Sequence, residues 1–150
     1  MSPGPTPLRH RTLLESGLRR TVPADLRVRR EMSVVLGPRQ RPEPDVIVFH
    51  ARAVRGPDTT AYKAEDLVLA IEVVSPESEE RDRKRKPSLY AEAGIPHFWL
   101  VESSEGRPTV NAYELDPTTH SYILSGSHQG RVRLTAPFDI DIDLMEIDRL

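Results

Sequence analysis

The segment LVLAIEVV, residues 67–74, constrains this chain more than any other. Seven of its eight side chains are apolar and the eighth, Glu72, is a carboxylate. A run that short and that apolar reads as a strand buried inside the molecule. An ionised carboxylate buried without a partner is strongly disfavoured, so Glu72 requires a cation, a metal or a proton beside it. Strand alternation places Glu72 on one face with Val68, Ala70 and Val74, and the small Ala70 leaves room next to it. The plain alternative is an ion pair with an arginine from the N-terminal region.

Two further apolar runs flank this one. Residues 45–49, DVIVF, form a strand opened by Asp45, and residues 97–102, HFWLVE, form a third. Between the second and third, residues 77–94 are helix-like and end on Gly94, a suitable glycine just past a helix C-terminus. Strand, helix and strand over 67–102 describe a crossover unit with parallel strands. Before it, residues 8–20 suggest a short amphipathic helix carrying Leu13, Leu14 and Leu18, weakened by Gly17. Residues 26–36 alternate as a single strand with Leu26, Val28, Arg30, Met32 and Val34 on one face, Arg30 being its defect. Pro38, Pro42 and Pro44 then enforce an irregular turn, and residues 50–66 read as a polar connection. After the crossover, 109–115 and 121–125 alternate like antiparallel strands, and 131–135 adds another. The class is α/β or α+β with a mixed sheet.

The bulk numbers bound what such a chain can be. At 150 residues it is expected to form one domain over 8–150, with a disordered Pro/Gly/Ser-rich stretch at 1–7. No run approaches the roughly 18 apolar residues of a membrane helix, and no secretory h-region is visible. There is no cysteine, which excludes disulfides, thiolate metal sites and a cysteine nucleophile. A cytoplasmic compartment is the expectation. The net charge of −2 is unevenly spread. Residues 1–41 hold nine arginines against Glu15, Asp25 and Glu31, while residues 137–150 hold five acidic residues against Arg149. The basic N-terminal third and the run Arg81 to Lys86 could attract a polyanion, the plain alternative being a solvated surface.

Asp45 gains weight from partnership. If its strand neighbours residues 67–74, two carboxylates converge where the strands diverge, and paired hard oxygens suit Mg²⁺ or Mn²⁺. Asp82, Lys86 and Tyr90 stand four apart and would stack on one face of a continuous helix. Pro87 opens a second option, in which the regular helix begins there and Lys86 sits just ahead of it. The histidines His10, His50, His97, His120 and His128 show no ligand spacing. Ser75 has no nucleophile-elbow context, and there is no phosphate-binding glycine loop.

In this order, PDVIVF, LAIEVVSPES and RDRKRKPSLYAEAGIPHFWLVE resemble the Uma-type restriction endonucleases of the PD-(D/E)XK nuclease superfamily. The resemblance spans roughly residues 10–145, and its most specific part runs from Glu72 to Glu102. It implies a restriction-endonuclease-like fold: a central mixed sheet flanked by helices, with C-terminal hairpins. Asp45 matches the aspartate of the PD element and Glu72 the second acidic residue, both implied ligands of one metal. The superfamily lysine usually stands two residues beyond that glutamate, where this chain has Val74. Lys86, in the following helix, matches the position to which this family has moved it. Asp82 and Tyr90 match flanking positions of that helix, His10 a histidine that opens the early helix, and Gly94, Phe98 and Trp99 a turn-and-core segment. Glu15 is the only acidic residue of the first helix and is not promoted.

The implied activity is Mg²⁺- or Mn²⁺-dependent hydrolysis of phosphodiester bonds in DNA. Asp45, Glu72 and the Val73 carbonyl would hold the metal, and Lys86 would serve the attacking water. Pairing of two copies, to cut two strands, is a further implication to which no residue here points. Family members usually carry a Glu-Leu-x-x-Gly-type hairpin ahead of the first helix, and this chain starts after it. That departure supports the rival expectation of a nuclease-like fold that binds nucleic acid or protein without cutting.

Overall fold

A computed structural model describes residues 5–74, 80–104 and 107–149, with residues 5–8, 80–83, 104 and 147–149 followed by backbone alone. Helix α1 spans Pro5–Thr21, strand β1 Leu26–Arg30, β2 Ser33–Val35, β3 Val46–His50, β4 Ala61–Lys63 and β5 Leu67–Val74. Helix α2 follows over Glu80–Glu92, then β6 His97–Ser104, β7 Arg107–Asp116, β8 Ser121–His128, β9 Arg131–Leu134 and β10 Ile140–Asp143.

Six of these strands make one sheet in the order β1-β3-β5-β6-β7-β8. β5 and β6 run parallel, as a strand–helix–strand crossover requires. The other neighbours in that sheet are antiparallel. β2 and β4 form a small parallel pair, and β9 and β10 an antiparallel one. This is the expected central mixed sheet between helices, with hairpins at the C-terminal end.

The central strands are apolar at nearly every position because both faces of the sheet are covered. Val46, Val48, Leu69, Ile71, Trp99 and Val101 pack with Leu13, Leu14 and Leu18 of α1 and with Ile140 and Ile142 of β10. Their alternates Ile47, Phe49, Ala70, Phe98 and Leu100 pack with Tyr90 of α2 and Tyr62 of β4. Gly17 lets α1 lie directly on β10: a Cβ there would fall 2.6 Å from Ile142 Cγ1. The glycine that weakens the helix thus closes its packing.

Several expectations change. α1 starts at Pro5, three residues ahead of Leu8. The single strand expected over 26–36 is two, because Glu31 takes a left-handed conformation (φ 56°) and turns the chain. Leu26 and Val28 therefore face α1, whereas Val34 and Met32 belong to the opposite cluster. The polar connection 50–66 contains β4, and the acidic C-terminal stretch contains β10. Val68 does not share the face of Glu72. The pairing of β5 with β3 slips between Val48 and Phe49, leaving Val68 as the extra residue, turned toward the α1 side.

α2 runs through Pro87 instead of beginning there. It closes on Gly94 (φ 86°), with Gly94 N–H donating to Ala91 O at 3.0 Å and Ile95 N–H to Tyr90 O at 3.2 Å. That pair of bonds is a Schellman motif, and Tyr90 and Ile95 meet in the same apolar cluster.

Candidate metal centre between two strands and two helices

Asp45 stands directly before β3. Its N–H donates to the Ile71 carbonyl at 2.9 Å, continuing the ladder with β5. The next amide of β5 that faces it, Val73 N–H, donates instead to Asp45 Oδ2 at 2.6 Å. The aspartate side chain thus replaces the strand backbone where β3 and β5 part. Val46 pairs with Ile71, so one further step places Asp45 across from Glu72. The two carboxylates expected to converge do so at this fork.

Glu72 sits on the α2 face of β5, with Ala70 and Val74. Its side chain is only 4% exposed. Lys86 Nζ lies 3.2 Å from Glu72 Oε1, and Tyr90 OH donates to Oε2 at 2.5 Å. Lys86 and Tyr90 are one helical turn apart, so the unbroken α2 presents both to the same carboxylate. Lys86 is 41% exposed and closes the site on its solvent side. The third member of that spacing, Asp82, has its side chain outside the described residues. The alternative of an N-terminal arginine against Glu72 is not what the described residues show; Arg11 of α1 instead reaches Asp45 Oδ1 at 3.2 Å and Glu31 Oε1 at 3.0 Å.

Burial sets the electrostatics. Loss of water raises the pKa of Glu72 from an ordinary 4.5 to about 7, against the pull of Lys86 and the Tyr90 hydroxyl, with Asp45 adding to the rise. Asp45 is also raised, first by burial, while the Val73 amide and Arg11 act to lower it. Burial and the neighbouring Glu72 push the Tyr90 phenol up, so Tyr90 remains the donor.

The donor set fits a small divalent cation. Two carboxylates stand on neighbouring strands at the fork, burial disfavours ionisation of both, and among the described residues each oxygen accepts one donor, which leaves lone-pair capacity. Among the described residues there is no group of three or more His, Asp or Glu arranged around one point. Any such ion would therefore retain several waters.

Of the sequence candidates, Asp45, Glu72 and Lys86 come together, with Tyr90 beside them, and Val73 joins through its N–H to Asp45, a different group from the carbonyl singled out in the sequence. His10 is buried on α1. Trp99 and Phe98 are core residues on opposite faces of the sheet. Arg11 was legible only as one arginine among nine, and its neighbour His10 was the sole hint that this turn of α1 mattered. Arg30, the defect in the strand pattern, reaches Glu15 at 3.0 Å and ties β1 to α1.

A family model named Uma2 and described as "Putative restriction endonuclease" matches residues 6–144. Among solved structures, this chain is similar to "a putative nuclease belonging to DUF820 from Anabaena variabilis ATCC 29413", with a TM-score of 0.60 at 13% identity. The alignment covers 95% of this chain and 77% of that one, and at that identity it speaks for the fold alone. No curated protein matches in sequence.

Proposed function

This chain belongs to the Uma2 family of nuclease-like proteins, and on that premise we propose that it hydrolyses phosphodiester bonds in DNA with the help of Mg²⁺ or Mn²⁺. The observation that carries the reading is the fork of β3 and β5, where Asp45 and Glu72 meet with Lys86 against Glu72. One oxygen each from Asp45 and Glu72, with the Val73 carbonyl, would hold the cation. When bound, it would neutralise charge on the phosphoryl oxygens and acidify a water. Lys86, at the solvent side, would orient that water for attack on phosphorus and stabilise the charge that builds as the P–O bond breaks. Tyr90 holds Glu72 in place, and Arg11 does the same for Asp45. Basic residues near the site would hold the backbone without reading sequence.

The test is cleavage of DNA with Mg²⁺ or Mn²⁺ by the wild type and by Asp45→Ala, Glu72→Ala and Lys86→Ala. Each variant should lose roughly 10²–10³-fold in rate. Equal rates in all four proteins would reject the assignment. One observation favours a second reading, a fold that binds nucleic acid without cutting. Every oxygen of the two carboxylates already accepts a hydrogen bond within the chain, so the network closes without an ion. Calorimetry separates the two: retained DNA binding with no heat from Mg²⁺ or Mn²⁺ supports the second.

A further inference from the structure

We propose that the free edge of β1 is the track along which the phosphodiester backbone of a nucleic acid lies as it approaches Asp45. The proposal rests on the nuclease reading above and adds where the substrate runs. β1 is the last strand of the six-stranded sheet. A groove of about 730 Å³ follows it, walled by the end of α1 and reaching Glu31 and Met32. Four arginines line it, Arg19, Arg27, Arg29 and Arg30, against two acids, Glu15 and Glu31. Arg19 and Arg30 are spent on Glu15. Among the described residues no carboxylate pairs with Arg27 or Arg29, so the surplus positive charge is theirs.

The groove ends at Glu31, whose backbone adjoins Asp45. β1 pairs with β3 so that Arg30 stands opposite Val46, and Glu31 N–H donates to the Asp45 carbonyl at 3.2 Å. Arg27 and Arg29 flank the edge from the face opposite Leu26 and Val28, the face that carries Ile47 and Phe49, roughly 7 Å apart, and the path from Arg27 to the Glu31 end is about 13 Å.

A free strand edge could also accept a protein strand. Here two of its carbonyls, those of Leu26 and Val28, are already taken. Arg19 donates to Val28 O at 2.9 Å, and Arg27 donates to Leu26 O at 2.8 Å and to Ala24 O at 2.5 Å. With those two acceptors capped by guanidinium groups, the edge offers an added strand an incomplete ladder and offers an anion positive charge.

The experiment is fluorescence polarisation of a labelled random-sequence DNA duplex in EDTA, titrated between roughly 50 and 200 mM salt. Wild type is compared with Arg27→Ala/Arg29→Ala, Arg27→Lys/Arg29→Lys and Arg29→Ala, each checked for folding by circular dichroism. The alanine pair should bind roughly tenfold or more weakly and lose about two from the slope of log K against log salt. Arg29→Ala alone should lose about one, and the lysine pair should keep the wild-type slope. Should the alanine pair fail to fold, the other two variants decide. Wild-type affinity and slope in the alanine variants, with wild type binding and cutting DNA, would overturn the track and leave the nuclease reading intact. The track is equally overturned if the substitutions alter the oligomeric mass by light scattering and spare DNA binding, since the edge is then a protein interface. A wild type that neither binds nor cuts DNA removes both proposals.

Discussion

Glu72 loses almost all its water when the chain folds, and Lys86 and Tyr90 replace only part of it. Its pKa therefore rises from 4.5 to about 7. A carboxyl whose folded pKa lies above its unfolded value binds more protons folded than unfolded. Its contribution is fully present below about pH 4.5 and is lost as pH rises through about 7. Urea unfolding at pH 5 and pH 8 should show the wild type losing up to about 3 kcal/mol from this group, while Glu72→Gln loses much less. An identical pH slope in both proteins would refute this account. Tyr90→Phe removes the hydroxyl from Glu72 Oε2 and should cost about 1–3 kcal/mol, read as a lower urea midpoint. Glu72 was legible in the sequence because a carboxylate in an apolar strand contradicts its surroundings. Arg11 was not, because its partner Asp45 lies 34 residues away and one arginine in a basic helix has no pattern of its own.

At the scale of elements, period and composition located the buried strands well and their interruptions poorly. The break at Glu31 depends on a backbone conformation that a glutamate seldom adopts. The slip at Val68 depends on how β3 pairs. Both arise from contacts between segments, to which a pattern along one segment is blind. Of the two options for α2, a continuous helix or one beginning at Pro87, the continuous one holds, because packing of Tyr90, Ala91 and Ile95 outweighs one lost amide donor. β10 had a signal that went unused: Phe138, Ile140, Ile142 and Leu144 alternate with acids, and all four are buried. Gly17 is where propensity and packing oppose each other. Alanine would gain roughly 1 kcal/mol of helix propensity and meet Ile142 at a cost of about 1–3 kcal/mol. Thermal unfolding of Gly17→Ala should show a lower midpoint, and a higher one would mean that β10 yields freely.

For the whole molecule, the parallel crossover followed from the order of elements alone, since a helix between two buried strands leaves few alternatives. The site was less legible, because it draws on α1, the start of β3, β5 and α2 and exists only once both faces of the sheet are covered. Binding at such a place should stabilise the entire fold. If Mn²⁺ occupies the gap, a concentration 100-fold above its Kd should add about 2.7 kcal/mol to wild-type stability. Asp45→Ala and Glu72→Ala should gain nothing. Thermal shifts with and without Mn²⁺ read this directly, and equal shifts in all three proteins would place the ion elsewhere. Affinity should also rise from pH 6 to pH 8, as protons leave Glu72.

One arrangement reaches beyond this molecule. Val74, two residues after Glu72, is buried core, and the ammonium arrives from α2, 14 residues further along the chain. The carboxylate and its cation are thus inherited on separate elements, free to drift in sequence as long as they meet in space. A search written as letters on one strand passes such a chain by. A search written as distances, with an amine about 3 Å from a strand carboxylate and a phenol one helical turn onward, would retrieve it and any relative that solved the same problem by another route.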